Sequence, residues 1–230
     1  MSDVRARWVE FKQLSRALAT ASDEFVRLQM VVDSAPALVP GCDHAGLTLN
    51  AAGGVVTRVG SDDVVQQANE MQFELGEGPC LDMQRDQDTL LSHDLSQDDR
   101  WPRWAKTVSA DLGVHSMLSL LVFTDRESYG ALSLYAGRVR GFDADAVAIG
   151  QGLAGHLALI MATSREIDQL GAGLHSRMVI GQATGLVMGR FDVDADHAFD
   201  YLRRVSSHSN TKIADVAAMI VRTRQLPEEY

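Results

Sequence analysis

The chain is predicted to be an α+β protein in which an antiparallel sheet with flanking helices is followed by a long helical connector and an all-α bundle of three helices. Three patterns in its 230 residues predict this. From Leu174 to Val221, apolar residues recur at spacings of three and four in three blocks separated by turn or cap residues. From His44 to Gly137, short alternating or apolar runs are separated by turns rich in small and polar residues, as strands are. In between, Asp143 to Met188 has no proline, and an apolar seam of heptad spacing crosses it.

Taken in order, Asp3 to Val32 contains neither Gly nor Pro, and Phe11, Leu14, Leu18, Ala21, Phe25, Leu28 and Val32 repeat at 3-4-3-4-3-4. One long amphipathic helix is therefore expected over residues 1–34, ended by Pro36 and Pro40. HAGLTLN at His44 to Asn50 alternates as a strand, Ala51 to Gly54 makes a small-residue turn, and VVTRV at Val55 to Val59 returns as the hairpin partner. Asp62 to Phe73 reads as a helix, and GEGPC at Gly76 to Cys80 as a tight loop into a short helix that Pro79 starts. TLLSH, from Thr89, is a brief strand, and Arg100 to Leu112 a helix with Pro102 near its start. HSMLSLLVFTD and YGALSLYAG are strands too apolar to be exposed on both faces, joined by the turn DRES. These elements define a domain at 35–162.

Leu153, Leu157, Ile160, Ser164, Ile167, Gly171, Leu174 and Met178 form the heptad seam, and 163–173 is a helical connector. Ser164, Gly171 and the neighbouring Gly173 weaken the seam, so a bend is cheapest there, each helical Gly costing about 1 kcal/mol against Ala. The bundle occupies 174–226, with 227–230 as a tail. Its first helix aligns Leu174, Met178, Val179, Ala183, Leu186 and Val187 on one broad face. Asp194 is the candidate N-cap of the second, whose stripe is Ala198, Leu202 and Val205. Asn210 or Thr211 is expected to cap the third, with Ile213, Val216, Ala217, Ile220 and Val221 on its inner face.

Two resemblances rest on these residues. Ser-Arg, Ile-Gly-Gln-Ala-x-Gly-Leu-Val-Met, Ala-Phe-x-x-Leu-Arg and Lys-Ile-x-Asp-Val-Ala, spread through the bundle, resemble the ANTAR domain, the RNA-binding module of bacterial antitermination regulators. The small positions are Ala183, Ala198 and Ala217 and the aromatic one Phe199; Thr184 stands where the family often has a basic residue. GEGPCLDM, DDRWPRWAKTV, GVHSMLSLLV and YGALSLYAGRVRGFD are similar to GAF domains, in particular those preceding ANTAR domains in actinobacterial regulators. That resemblance implies a PAS-like sensory fold with a small-molecule pocket between the sheet and the distal helices. The Asn-Lys-Phe-Asp-Glu signature of the cyclic-nucleotide subgroup is missing, so cyclic GMP is not assigned.

Composition narrows the function classes. The apolar run Met117 to Phe123 is too short to cross a bilayer, and MSDVRARWVEFKQ has no apolar core for a signal peptide, so a cytoplasmic protein is expected. Cys42 and Cys80 suit a reducing compartment and are read as small buried hydrophobes. The net charge of −10 is unevenly spread. Leu174 to Leu226 holds seven basic and five acidic residues, a surplus of +2, whereas the rest of the chain sums to −12. An acidic body with a mildly basic C-terminal module is compatible with polyanion binding at one end.

The seven histidines show no zinc-ligand or catalytic spacing, and GEGPC lacks the Lys-Ser/Thr of a P-loop, so no enzyme and no metal site is expected. The candidate ligand-lining residues are Cys80, Trp101 and Trp104. Hairpin RNA is recognised through phosphates, 2′-hydroxyls and splayed loop bases, and Arg177, Gln182, Arg203, Arg204, Asn210 and Lys212 are the candidate donors. The leading expectation is a signal-responsive antitermination regulator, a homodimer through its long helices, binding hairpin RNA in nascent transcripts. The alternatives are a protein-interaction regulator without RNA binding, and a methionine sulfoxide reductase-like enzyme using Cys42 and Cys80, as some GAF domains do.

Overall fold

The computed structural model describes residues 2–51, 54–82 and 89–227. The chain divides into two compact units, Met1–Ser164 and Arg165–Tyr230.

The N-terminal region is two helices rather than the single one expected. α1 spans Ser2–Thr20 and α2 spans Glu24–Leu38. The break falls where Asp23 offers a better arrangement than a continued helix: its carboxylate accepts the Val26 N–H at 2.9 Å and caps α2. Pro36 lies inside α2, whose last turn is closed by the Val39 N–H donating to the Ala35 carbonyl at 2.8 Å. Proline keeps a helical φ and forfeits only one donor there, so the helix runs on to Leu38.

β1 (His44–Ala51) and β2 (Gly54–Gly60) form the hairpin. α3 (Asp63–Leu75), capped by Asp62, and α4 (Pro79–Asp82) follow, then β3 (Thr89–Ser92). α5 (Trp104–Leu112) begins four residues later than the sequence implies. Its first donors are taken from outside: the Glu77 carboxylate accepts the backbone N–H of Arg103 at 2.5 Å and of Trp104 at 2.7 Å. β4 (Ser116–Thr124) and β5 (Glu127–Ala136) pair down to Thr124 opposite Glu127, so the turn is only Asp125–Arg126 and Glu127 and Ser128 already belong to a strand.

The antiparallel sheet has the order β2-β1-β5-β4-β3. Strand alternation gives it two faces. Leu47, Leu118, Leu120, Leu132 and Leu134 pack with Leu28, Val31 and Val32 of α2 and with residues of the final helix of this unit. On the other face, Met117, Ala131 and Tyr135 pack with Val65 and Ala68 of α3 and Trp104, Ala105 and Val108 of α5. Gly130 sits where β5 meets β1, and a Cβ there would lie 1.9 Å from the Thr48 carbonyl oxygen.

α6 is a single helix of 48 residues, Ala144–Phe191, uninterrupted at Gly171 and Gly173. Among the described residues it is the one helix long and apolar enough, by length and composition, to cross a membrane. Its heptad seam divides in two. Leu153, Leu157, Ile160 and Ser164 are buried within the first unit, whereas Ile167, Leu174 and Met178 are 60%, 67% and 54% exposed.

In the second unit, the C-terminal part of α6 packs with α7 (Ala195–Ser209) and α8 (Ile213–Thr223). Ala183, Ala198 and Ala217, one per helix, are fully buried beside Val187, Leu202 and Ile220. Small residues at these points let the helices approach closely. Leu174 and Met178, expected on the inner face, lie outside this core. Asp194 caps α7 as expected, accepting the His197 N–H at 2.9 Å. Asn210 does not cap α8; it takes a left-handed conformation (φ 49°) as the C-cap of α7, a role asparagine tolerates well, and Lys212 precedes α8 instead.

Candidate sensory cavity and candidate nucleic-acid interface

The first unit holds a buried polar cluster on the α3 face of its sheet. Thr48 of β1, Ser119 of β4, Ser133 and Tyr135 of β5, and Asn69 and Gln72 of α3 are all buried around the Cys80 thiol. The Cys80 N–H donates to Gln72 Oε1 at 2.8 Å, and Gln72 Nε2 donates to Asn69 Oδ1 at 3.0 Å. The sulfur accepts from Gln72 Nε2 at 3.4 Å and from Thr48 Oγ1 at 3.7 Å. Tyr135 Oη donates to Asn69 Oδ1 at 3.4 Å, and Asn69 Nδ2 to Thr57 Oγ1 at 3.0 Å. Gly78 permits this closeness, since a Cβ there would stand 2.3 Å from Gln72 Cγ. Beside the cluster lies a cavity of about 20 Å³ lined by Thr48, Asn50, Cys80, Leu121, Ser128 and Gly130, among others. It has room for a single water molecule.

Burial pushes the Cys80 pKa up, against the hydrogen bonds from Gln72, Thr48 and Ser133, so the group is a thiol and a poor nucleophile. Cys42 is pushed up to about 12, first by burial and then by the charge of Asp43. It sits in the apolar core on the other face of the sheet, its thiol donating to the His44 carbonyl at 3.3 Å. The two cysteines are thus separated by the sheet and do not form a redox pair.

Trp101 and Trp104 are fully buried and meet edge to face at 5.8 Å. Both indole N–H groups are satisfied, Trp101 by Asp82 Oδ2 at 2.6 Å and Trp104 by the Ala68 carbonyl at 2.8 Å. Neither lines the cavity, which of the three sequence candidates touches Cys80 alone. Sequence reasoning missed Asn69 and Gln72; the available signal was a pair of amides on the inward stripe of α3 beside Val65 and Ala68.

In the second unit Arg177, Gln182, Arg203, Arg204, Asn210 and Lys212 are all exposed. Arg203 pairs with Asp200 at 3.7 Å. Of the six, the structure brings only Arg204 into a groove, of about 1320 Å³, which it shares with Arg190, Phe191, His197, Tyr201 and Arg224. Arg190, Phe191, Tyr201 and Arg224 were not singled out from the sequence. They come from three separate stretches of the chain, Arg190–Phe191, Tyr201 and Arg224, and the signal available was the placing of Arg190 and Arg224 at helix C-termini.

Residues 23–162 match the GAF domain family and residues 168–221 the ANTAR domain family. Among solved structures, the chain is similar to the GAF domain of a phosphoenolpyruvate-protein phosphotransferase from Coxiella burnetii, at 20% identity and a TM-score of 0.54, covering 72% of this chain and 98% of that one. It is also similar to the bacteriophytochrome RpBphP3 of R. palustris, at 13% identity and a TM-score of 0.51, and covers 78% of this chain and 41% of that one. The Stigmatella aurantiaca phytochrome photosensory core gives 12% identity and a TM-score of 0.55, with 85% of this chain and 43% of that one covered. The chain therefore spans less than half of either phytochrome, and at these identities the likeness is one of fold. No curated protein matches the chain.

Proposed function

The chain belongs to the GAF domain family and carries an ANTAR domain C-terminal to it, and we propose that it is a signal-responsive antitermination regulator whose sensory domain at 35–162 acts through the connector at 163–173 on an RNA-binding bundle at 174–226. The observation that carries this is the match of residues 168–221 to a family of RNA-binding regulators, laid over a bundle that presents arginines on an exposed surface. In this reading the protein works in the cytoplasm, where nascent transcripts are, and grips hairpin RNA so that a terminator does not form.

A small-molecule signal would enter at the Cys80 cluster. The space beside that small cavity is taken up by the protein's own amide and hydroxyl groups, so a ligand larger than a water would replace the Gln72 and Asn69 hydrogen bonds with its own and would carry polar groups. A homodimer would pair Ile167, Leu170, Leu174 and Met178, which lie at helical spacing on α6 and are each more than half exposed. Leu170 supplies the apolar side chain that Gly171 lacks on this stripe.

The experiment is transcription. RNA that co-purifies with the protein is sequenced and placed ahead of a terminator in a single-round reaction. Readthrough that rises with added protein supports the proposal; a bundle that only docks on another protein leaves termination unchanged.

A further inference from the structure

The groove of the second unit is assembled by the three helices together. Arg190 and Phe191 come from the end of α6, His197, Tyr201 and Arg204 from α7, and Arg224, the C-cap of α8, and Gln225 from just beyond that helix. At about 1320 Å³ it exceeds the roughly 300–1,000 Å³ usual for small-molecule sites, so its dimensions suit a stretch of polymer. None of the described lining residues is a carboxylate, and the lining residue His197 engages Asp194 through its Nδ1 at 2.7 Å. The module as a whole has only a small basic surplus, and three of its seven basic residues line this one concavity.

The aromatic residues set the groove apart from a general cationic surface. Phe191 is 51% exposed although its ring lies against Tyr201, at 5.4 Å between centroids. The Tyr201 hydroxyl donates to the Pro227 carbonyl, which fixes that ring and leaves Phe191 as the open face. Guanidinium groups beside an accessible ring are the chemistry that binds an unstacked base and its flanking phosphates; a regular duplex offers phosphates but keeps its bases stacked.

Arg224 adds an independent observation. It caps α8 in the left-handed region, at φ 59°, where glycine is favoured and a side chain is strained. The chain places a guanidinium there in spite of that strain.

We infer that this groove, rather than the exposed residues Arg177, Gln182 and Lys212 that do not line it, seats an unpaired nucleotide of the RNA loop, with Phe191 stacking on the base and Arg190, Arg204 and Arg224 holding the phosphates on either side. The inference rests on the RNA-binding reading above and specifies where and what that surface recognises.

The test uses the full chain and a pool of hairpin RNAs with randomised loops, compared with the same stem closed by abasic nucleotides. Phe191→Ala should weaken binding of the pool about fivefold or more and leave the abasic hairpin unaffected. Arg190→Ala and Arg224→Gly should weaken both RNAs and each lower the salt slope by about one. Arg224→Gly also separates function from folding, because glycine suits the left-handed position: the melting temperature should hold or rise while RNA affinity falls. If the parent binds the pool and all three variants stay within twofold of it, the groove is not the site and the RNA reading stands without it. Displacement of the pool by polyglutamate as readily as by RNA would mark the groove as a seat for an acidic peptide and overturn the inference. A parent that binds no member of the pool overturns the RNA reading itself, and no variant is needed to see it.

Discussion

Gln72 holds Cys80 from both sides of its amide: Oε1 accepts the Cys80 backbone N–H at 2.8 Å, and Nε2 lies 3.4 Å from the Cys80 sulfur. One side chain of α3 thereby holds the start of α4. Both residues are buried. Replacing Gln72 with Ala removes the acceptor of the Cys80 N–H and one of the donors to Asn69 Oδ1, and an unsatisfied buried group costs about 1–3 kcal/mol. Urea unfolding should register that loss, and a curve identical to the parent's would mean the network does not stabilise the fold. Cys80→Ala, which removes only weak sulfur contacts, should cost less.

The thiols give a pH dependence of known sign. Both cysteines have native pKa values raised above the ordinary 9.0, Cys42 to about 12. A group whose native pKa is raised contributes stability below its unfolded pKa and loses it as pH climbs towards the native value. Stability should therefore decline from about pH 9 upward, less steeply in Cys42→Ala, as measured by thermal melts across that range. Ellman's reagent at pH 8 should react slowly with the native protein and fully after denaturation. A rapid native reaction would contradict the burial of both groups.

Leu157 and Leu170 lie on the same helix with opposite fates. Leu157 is buried in the core of the first unit, and its truncation to Ala should cost about 2–5 kcal/mol. Leu170 is 63% exposed. Replacing Leu170 and Leu174 together with Glu should leave the melting of the first unit unchanged and convert a dimer to a monomer in light scattering. If the parent is monomeric at micromolar concentration, the stripe serves something other than self-association.

Gly171 and Gly173 are helical, and a Cβ at either would meet nothing within 4 Å. Alanine at both should stabilise α6 by up to about 2 kcal/mol, seen as a rise in the melting temperature. An unchanged or lowered melting temperature would show that the helix pays no glycine penalty there.

The sequence carried the fold wherever a pattern was local. The alternation of His44 to Asn50, the apolar strands around Leu118 and Leu132, and the stripes through Ala198 and Val216 depend on neighbours a few residues away, and all of them appear as read. The errors came where competition or distance decided. Seven apolar residues favoured one N-terminal helix, but Asp23 as a cap outweighed the period. The heptad spacing from Leu153 to Met178 was real, yet spacing does not say which partner covers each half; the sheet took the first. The candidate sites fared least well for the same reason. Asn69 and Gln72 lie inside because Cys80, Thr57 and Tyr135 satisfy them, and the groove around Phe191 exists only once three helix ends are brought together.

The most direct test of the central claim is the affinity of the full chain for the hairpin RNA pool as a function of salt. If the bundle grips RNA through three or more phosphates, the logarithm of the association constant should fall linearly with the logarithm of salt concentration, with a slope of about −2 to −3 at roughly 0.7–0.9 per phosphate. A slope near zero, or no retention of RNA even at low salt, would contradict the assignment of this chain as an RNA-binding regulator.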